Sequence, residues 1–191
     1  MRYTTSMMAR MAQLSGQGAA VGILVIDEPV SADREDPNAV PDHIRDMQTV
    51  LVYAGWERHP VWLVELSPGP EQNPTSRTMV RLRGMLPPST PAVLKKRFNA
   101  FEGTNLRELL RAANVTSHLV VMGHEVNCCV KQTVIGGRYK PSTPFEFGAV
   151  GLEYTVLTSD RVLSINGEPK GPGGVKADWA DHVAVEYYAR V

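Results

Sequence analysis

The stretch HLVVMGHEVNCCV, residues 118–130, contains the pattern that decides the fold. Its first part, from His118 to Gly123, is an apolar run, which is typical of a central strand in a parallel sheet. From Cys128 onward the sequence is helical in character, so the strand ends in a turn that leads directly into a helix. A strand, a turn and a helix in this order form the repeating unit of an α/β protein.

The same pattern recurs along the chain on both sides of this stretch. Further strands are predicted at residues 21–27, 60–66, 92–96 and 153–159. Between the strands lie amphipathic segments, of which GTNLRELLRAANV is the clearest helix, with Thr104 as its N-cap and a stripe of Leu106, Leu109, Leu110 and Ala113. Strands that alternate with helices predict a three-layer αβα sandwich with a mainly parallel central sheet.

Length and composition limit the domain organisation and the partners. The 191 residues, 43% of them hydrophobic, fit a single domain over residues 20–191. The Met- and Ser-rich start predicts a flexible N-terminal arm over residues 1–19. Twenty basic and twenty acidic residues cancel, which argues against nucleic-acid and anionic-membrane partners. The start lacks the apolar core of a signal peptide, and no apolar run approaches the roughly 20 residues of a membrane helix. We therefore expect a cytoplasmic protein.

Three reactive side chains fall at the predicted strand ends, namely Asp27, Lys95 and Cys129. In parallel α/β folds, ligands bind beyond the carboxyl ends of the strands, so these residues meet at one edge if their strands are neighbours. A thiol attacks as the thiolate, and both a helix N-terminus and an ammonium group lower its pKa. Asp27 then takes the thiol proton and returns it to a leaving group. Backbone N–H groups of the turn are available to bind an oxyanion.

Each of these residues also has an ordinary interpretation. A single Asp after a strand is often a turn residue, and a single Lys is usually solvated. Cys128 is predicted to be a core residue, because successive helical residues point about 100° apart and two thiols then do not face one pocket. Trp179, Tyr187 and Tyr188 are predicted to serve packing or subunit contacts. It is the combination of Asp27, Lys95 and Cys129 that favours catalysis.

From about Ala20 to the C-terminus, the chain resembles the isochorismatase-like cysteine hydrolases. The resemblance rests on four segments in order: ILVID, KKRFNAFEGTNL, GHEVNCCV and GAVGLEYTVLTSDRVL. It implies that Cys129, which precedes Val130 as in the family's CV pair, is the nucleophile. It further implies that Asp27 is the general acid and base and that Lys95 completes a triad.

The resemblance also implies features of the turn before the nucleophile. A cis peptide bond is expected at Glu125–Val126, and the Val126 N–H is expected to join the Cys129 N–H as an oxyanion hole. His124, beside this bond, is a candidate pocket residue. Phe98, Asn99 and Phe101 near Lys95 are further candidates for the pocket wall. Members of the family are often dimers or larger rings, so a homo-oligomer of two or four chains is expected.

Several departures from the family pattern bear on the substrate. Pro29, Val126 and Asn99 replace residues that are usual in the family, and the stretch VELSPGPEQ has no His where nicotinamidases carry metal ligands. We therefore expect no metal, no cofactor and a substrate other than nicotinamide. The predicted function is cysteine-dependent hydrolysis of an amide-like C–N bond in a small molecule, through a thioester. The alternatives are an inactive member that binds or assembles, and an isochorismate-type vinyl-ether hydrolase.

Overall fold

Strands and helices alternate along the part of the chain that the computed structural model describes, which is residues 2–27, 42–67, 78, 80–165, 168–169 and 179–188. The helices are α1 (Arg2–Gly16), α2 (Asp42–Glu57), α3 (Val80–Arg83), α4 (Leu106–Ala112) and α5 (Cys129–Ile135). The strands are β1 (Val21–Ile26), β2 (Val61–Leu66), β3 (Ala92–Lys95), β4 (His118–His124), β5 (Thr155–Ser159), β6 (Leu163–Ile165), β7 (Glu168–Pro169) and β8 (Val185–Tyr188).

The main sheet has the strand order β3-β2-β1-β4-β5-β8, and all of these neighbours pair in parallel. β6 pairs in parallel with the last two residues of β4, and it pairs antiparallel with β7. The chain adds β2 and β3 on one side of β1 and then returns to add β4 and β5 on the other. In α/β proteins, ligands bind beyond the carboxyl ends of the strands at which the strand order reverses, which here are β1 and β4.

Helices cover both faces of the sheet, as the alternating pattern predicts. On one face Met47 and Leu51 of α2 pack with Ile23 and Val25 of β1. On the opposite face the buried side chains of α4 and α5 pack against Leu24 and Ile26, and they include Leu106, Leu110, Val130 and Val134. The three-layer αβα sandwich with a mainly parallel sheet is therefore confirmed.

The N-terminal segment is not the flexible arm that its composition suggests. It forms α1, in which Met7, Met11 and Leu14 are buried against the sheet on the α2 side. These residues are spaced i, i+4 and i+7, so they form one apolar stripe of a helix. The prediction of a flexible arm is wrong because this apolar stripe packs against the sheet, whereas Met and Ser content alone does not reveal the stripe.

The C-terminal segment supplies the edge strand β8 next to β5. Trp179 is buried, its Nε1–H donates to the Val126 carbonyl oxygen at 2.9 Å, and its ring lies 6.3 Å from that of Tyr187. These contacts dock the segment on the turn before α5. None of the helices in the described ranges has the length and apolar surface that a bilayer-spanning segment requires.

Candidate active site

Asp27 and Lys95 meet in a buried ion pair at the carboxyl edge of the sheet. Asp27 follows β1 in a left-handed conformation (φ 47°), and Lys95 is the last residue of β3. Nζ of Lys95 lies 2.5 Å from Oδ2 of Asp27, and the two side chains are 0% and 12% exposed. Because β2 separates the two strands, the lysine spans about 10 Å of sheet to reach the carboxylate.

The Asp27 carboxylate has unused acceptor capacity. Both of its oxygens are sealed from solvent, and neither accepts a well-angled hydrogen bond from the described residues, so the contact with Lys95 is an ion pair without ideal hydrogen-bond geometry. The Lys95 ammonium also donates to the Arg97 carbonyl oxygen at 3.2 Å. Unsatisfied buried polar atoms are rare and costly, and catalytic groups are among the accepted reasons for them.

The Cys129 thiol lies beside this ion pair. Cys129 is the first residue of α5 and is 8% exposed. Burial is the main cause that raises the pKa of its thiol; the negative charge of Asp27 raises this pKa further, and only Lys95 opposes them. The expectation of a lowered pKa is therefore wrong. The charge of Lys95 is already balanced by Asp27, so it does not outweigh burial.

Cys128 precedes Cys129 at the start of α5. It is half-buried at the N-cap of this helix and packs against the hydrophobic core on the α4 and α5 side of the sheet. Burial raises the pKa of Cys128, while Cys129 and the charge of Lys95 lower it. The packing of Cys128 against the core agrees with the prediction, and the direction of its thiol relative to that of Cys129 stays a prediction. Cys128 has φ −128° and ψ −89°, which is not helical, so the angular rule for successive helical residues does not apply to it.

A glycine brings the ends of β1 and β4 together. Gly123 has φ +144°, and a Cβ atom added to it would lie 2.1 Å from the Ile26 carbonyl oxygen. Ile26 and Gly123 are also partners in the register of the two strands. Any larger residue at position 123 would force the strand ends apart. The close approach places Asp27 next to the turn that leads into Cys129.

The predicted cis peptide bond is absent. Every peptide bond in the described ranges is trans, including Glu125–Val126, and Glu125 instead has a positive φ of 60°. The Val126 N–H donates to the carbonyl oxygen of Ser164 at 3.1 Å, so it is not free to bind an oxyanion. Ser164 belongs to strand β6, so this strand provides the acceptor for the Val126 N–H. The Cys129 N–H has no backbone acceptor among the described residues and keeps its predicted role as a candidate donor.

His124 is the last residue of β4 and directly precedes the turn that leads to Cys129. Its Nδ1 is 3.1 Å from the Ser164 hydroxyl and its Nε2 is 3.1 Å from a Glu125 carboxylate oxygen. Burial lowers the pKa of His124, and Glu125 and Asp27 partly counter this. The contribution of Ser164 was not predicted, because the short strand β6 becomes recognisable only through its pairing with β4.

The three other candidate pocket residues lie in the loop after β3. Asn99 is buried, donates to the Phe147 carbonyl oxygen at 2.9 Å and accepts from the Phe101 N–H at 3.0 Å. Phe98 lies 5.5 Å from the ring of Tyr139, and Phe101 is stacked on Tyr154 at 6.2 Å. Asn99 therefore holds the loop in shape, and contact of these residues with a substrate stays a prediction.

The loop is also tied to α5 by a residue that the sequence did not single out. Thr133 is buried, and its hydroxyl accepts a hydrogen bond from the Ala100 N–H at 3.0 Å. The contact fixes the segment after Lys95 relative to the helix that begins at Cys129. A lone Thr in a helix carries no signal for such a role.

Metal binding was predicted to be absent, and this stays a prediction. Within the described ranges, no group of three His, Cys, Asp or Glu side chains is arranged to hold a metal ion. Pro29 and residues 68–72 of the stretch VELSPGPEQ lie outside the described residues.

The comparisons with known proteins agree with the fold. The family model for the isochorismatase domain matches residues 44–140, just over half of the chain, a range that includes Lys95 and Cys129 and begins after Asp27. No curated protein sequence gives a significant match.

Solved structures with the same fold include amide hydrolases. N-carbamoylsarcosine amidase from Thermoplasma acidophilum is 17% identical, with 89% of this chain and 96% of that chain covered and a TM-score of 0.61. The nicotinamidase from Staphylococcus aureus is 16% identical, with 90% and 98% covered and a TM-score of 0.60. The nicotinamidase from Bacillus subtilis is 14% identical, with 88% and 98% covered and a TM-score of 0.63.

At such low identity, the solved structures establish the similarity of the fold alone. The family model, by contrast, matches the sequence over more than half of its length. The chain belongs to the isochorismatase domain family.

Proposed function

We propose that the protein is a cysteine-dependent hydrolase that cleaves an amide-like C–N bond in a small molecule through a thioester. Cys129 is the nucleophile, Asp27 carries protons, and Lys95 positions and balances the Asp27 carboxylate. The observation that carries the proposal is the Cys129 thiol beside a buried carboxylate that is ion-paired with a buried lysine and has unused acceptor capacity.

The raised pKa of Cys129 decides the order of the proton transfers. The resting thiol is neutral, so it attacks the carbonyl carbon while its proton passes to Asp27. Asp27 then protonates the leaving nitrogen as the C–N bond breaks, which leaves an acyl group on sulfur. In the second half, Asp27 accepts a proton from water as the water oxygen attacks the thioester. The proton returns to the sulfur when the acid leaves.

The charge that develops on the carbonyl oxygen needs hydrogen-bond donors. The Cys129 N–H is the candidate donor next to the nucleophile, since the Val126 N–H is engaged by Ser164. One preorganised donor typically contributes about 10²–10³ in rate.

The names of the structural neighbours agree with C–N bond cleavage, because they include an N-carbamoylsarcosine amidase and two nicotinamidases. Nicotinamide itself is not favoured as the substrate, because the segment after β2 has no His. The cytoplasmic location and a homo-oligomer of two or four chains are part of the same proposal.

One observation favours a second candidate. Burial keeps the Cys129 thiol neutral. A vinyl-ether hydrolysis in which Asp27 alone transfers protons does not need this thiol to lose its proton. In that reaction the thiol is dispensable. The two candidates therefore differ in the effect of removing the sulfur.

A screen of small amides, N-carbamoyl compounds and isochorismate tests the proposal. Cys129→Ala is expected to abolish turnover of the best amide, whereas Cys128→Ala, the matched control one residue away, is expected to retain most of it. Equal activity of the two variants would remove the role of Cys129. Isochorismate turnover that survives Cys129→Ala would establish the second candidate instead.

A further inference from the structure

The turn between β4 and α5 is held by two segments that are distant from it in the sequence. The Val126 N–H donates to the Ser164 carbonyl oxygen at 3.1 Å, and the Val126 carbonyl oxygen accepts from the indole Nε1–H of Trp179 at 2.9 Å. Val126, Ser164 and Trp179 are all buried, so the loss of either hydrogen bond leaves a backbone group unsatisfied. Both hydrogen-bonding groups of the Val126 backbone are therefore fixed from outside the turn.

The same turn determines which N–H groups at the start of α5 are taken. The Glu125 carbonyl oxygen accepts from the Cys128 N–H at 2.9 Å and from the Val130 N–H at 3.2 Å. The Cys129 N–H, between these two donors, has no backbone acceptor among the described residues. Glu125 takes this position with a positive φ of 60°, and the peptide that follows it is the one that Ser164 and Trp179 hold. The conformation of the turn therefore leaves the Cys129 N–H as the candidate oxyanion donor.

We propose that Trp179 is a positioning residue for the proposed hydrolysis: its indole N–H holds the Val126 carbonyl and so keeps the turn in the conformation that sets the thiol and the N–H of Cys129. The role rests on the proposed function, since the position of this N–H matters when a negative charge develops beside it. A displacement of about 1 Å at a reacting group can cost about 100-fold in rate. Trp179 acts through the turn and is not itself a catalytic residue.

The segment that carries Trp179 is anchored on the main sheet. β8 pairs with β5, and the ring of Tyr187 in β8 lies 6.3 Å from the indole ring in an edge-to-face arrangement. The Trp179 carbonyl oxygen also accepts from the His182 N–H at 3.2 Å. Aromatic pairs with this geometry stabilise the packing beyond the area that they bury. The indole is therefore fixed relative to the sheet, as a residue that positions another group has to be.

A role in packing alone is the alternative for Trp179, and Trp62 provides the comparison. Both indoles belong to the same core cluster and both are 3% exposed. Trp62 is the second residue of β2, so it lies toward the amino end of the strands, whereas the turn follows the carboxyl end of β4. Replacing either Trp by Phe removes a similar amount of buried apolar surface. The hydrogen bond to the turn is lost in the Trp179 variant alone.

Steady-state kinetics of Trp179→Phe and Trp62→Phe in the full chain separate the two roles. Urea unfolding first establishes that each variant is folded under the assay conditions, and kcat and KM are then measured on the best amide of the screen. Trp179→Phe is expected to lower kcat by about 10- to 100-fold with little change in KM, because the oxyanion is bound in the transition state. Trp62→Phe is expected to lose stability without this loss in kcat. A wild-type kcat in Trp179→Phe, or an equal loss in both variants, would overturn the proposal.

Hydrogen exchange measured by NMR tests the hold on the turn without any substrate. In Trp179→Phe the Val126 amide is expected to exchange at least about tenfold faster, relative to the amides of β1, whereas in Trp62→Phe this ratio is expected to stay as in the wild type. If Trp179→Phe does not fold, the wild type alone decides. Its Trp179 indole N–H and its Val126 amide are expected to be equally protected, and an indole N–H that exchanges freely beside a protected Val126 would overturn the proposal.

The two readouts distinguish the failure of this role from the failure of the proposed function. A wild type that hydrolyses no amide, with faster Val126 exchange in Trp179→Phe, would overturn the hydrolysis and leave the hold of Trp179 on the turn intact. A wild type that hydrolyses amides, with kcat and Val126 exchange unchanged in Trp179→Phe, would do the reverse.

Discussion

Two ion pairs in this molecule differ in their exposure and in their hydrogen bonding. Arg10 of α1 and Glu186 of β8 are about 30% exposed, and the guanidinium donates to both carboxylate oxygens at 2.9–3.2 Å. The Tyr188 hydroxyl adds a further hydrogen bond to Glu186 at 2.8 Å. Asp27 and Lys95 are almost completely buried, and the carboxylate accepts no well-angled hydrogen bond among the described residues. The exposed pair is satisfied, and the buried pair is left incomplete.

The difference shows that the buried pair, unlike the exposed one, leaves a carboxylate with unused hydrogen-bond acceptor capacity. A buried pair is a poor way to gain stability, because desolvation of both charges offsets their attraction. An exposed pair gives little energy but costs little. The incomplete pair lies beside the buried Cys129, and in the proposed mechanism its carboxylate accepts the thiol proton.

The largest stability effect is expected from breaking the buried pair. Lys95→Met leaves the Asp27 carboxylate buried without its partner, so the free energy of unfolding should fall by about 3–5 kcal/mol in urea denaturation. The double variant Asp27→Asn/Lys95→Met removes both charges and should regain most of this loss while staying inactive. A Lys95→Met protein as stable as the wild type would contradict a buried, charged pair.

A buried histidine on the α2 side extends the comparison to a neutral group. His43 is 1% exposed, and burial, assisted by His124, lowers its pKa to about 4, against the opposing effect of Asp46 and Asp42. The unfolded chain binds a proton near pH 6.5 and the folded one near pH 4, so stability is lost as pH falls between these values. The expected loss is about 3 kcal/mol at pH 4.

The control for this effect is His43→Gln, measured by urea unfolding at pH 7 and pH 4. The stability advantage of the wild type over the variant should shrink by the same amount between the two pH values. An advantage that does not change with pH would show that His43 does not titrate abnormally.

The smallest effect is expected at the exposed pair. Glu186→Gln should lower the free energy of unfolding by no more than about 1 kcal/mol, and less in high salt. Arg10 and Tyr188 lower the pKa of Glu186, so its contribution is present at neutral pH and is lost as pH falls through that lowered pKa. A loss as large as that of Lys95→Met would erase the distinction between the two pairs.

The sequence was sufficient to predict the strands and the meeting of three side chains. The apolar runs at residues 21–26 and 118–123 identify central strands, because only strands buried on both faces are apolar throughout. Parallel strands end at one edge, so the sequence predicts that Asp27, Lys95 and Cys129 converge there. Asp27 and Lys95 form an ion pair, and the charges of both act on the pKa of the Cys129 thiol.

The local details depend on contacts that no sequence pattern contains. The Val126 N–H is taken by Ser164 of β6, a strand of three residues whose place is set by its pairing with β4. Cys128 is the N-cap residue of α5 and has non-helical backbone angles, which the sequence pattern does not reveal. In α1, the helical spacing of Met7, Met11 and Leu14 is a signal that the sequence does contain, although the composition of the segment points to an arm.

The most direct test of the central claim is an intact-mass measurement on wild-type protein quenched in acid during turnover of its best amide substrate. The account predicts a mass increase equal to the acyl group, located by peptide mapping on Cys129 and absent in Cys129→Ala. Turnover with no covalent adduct, together with full activity of Cys129→Ala, would contradict it.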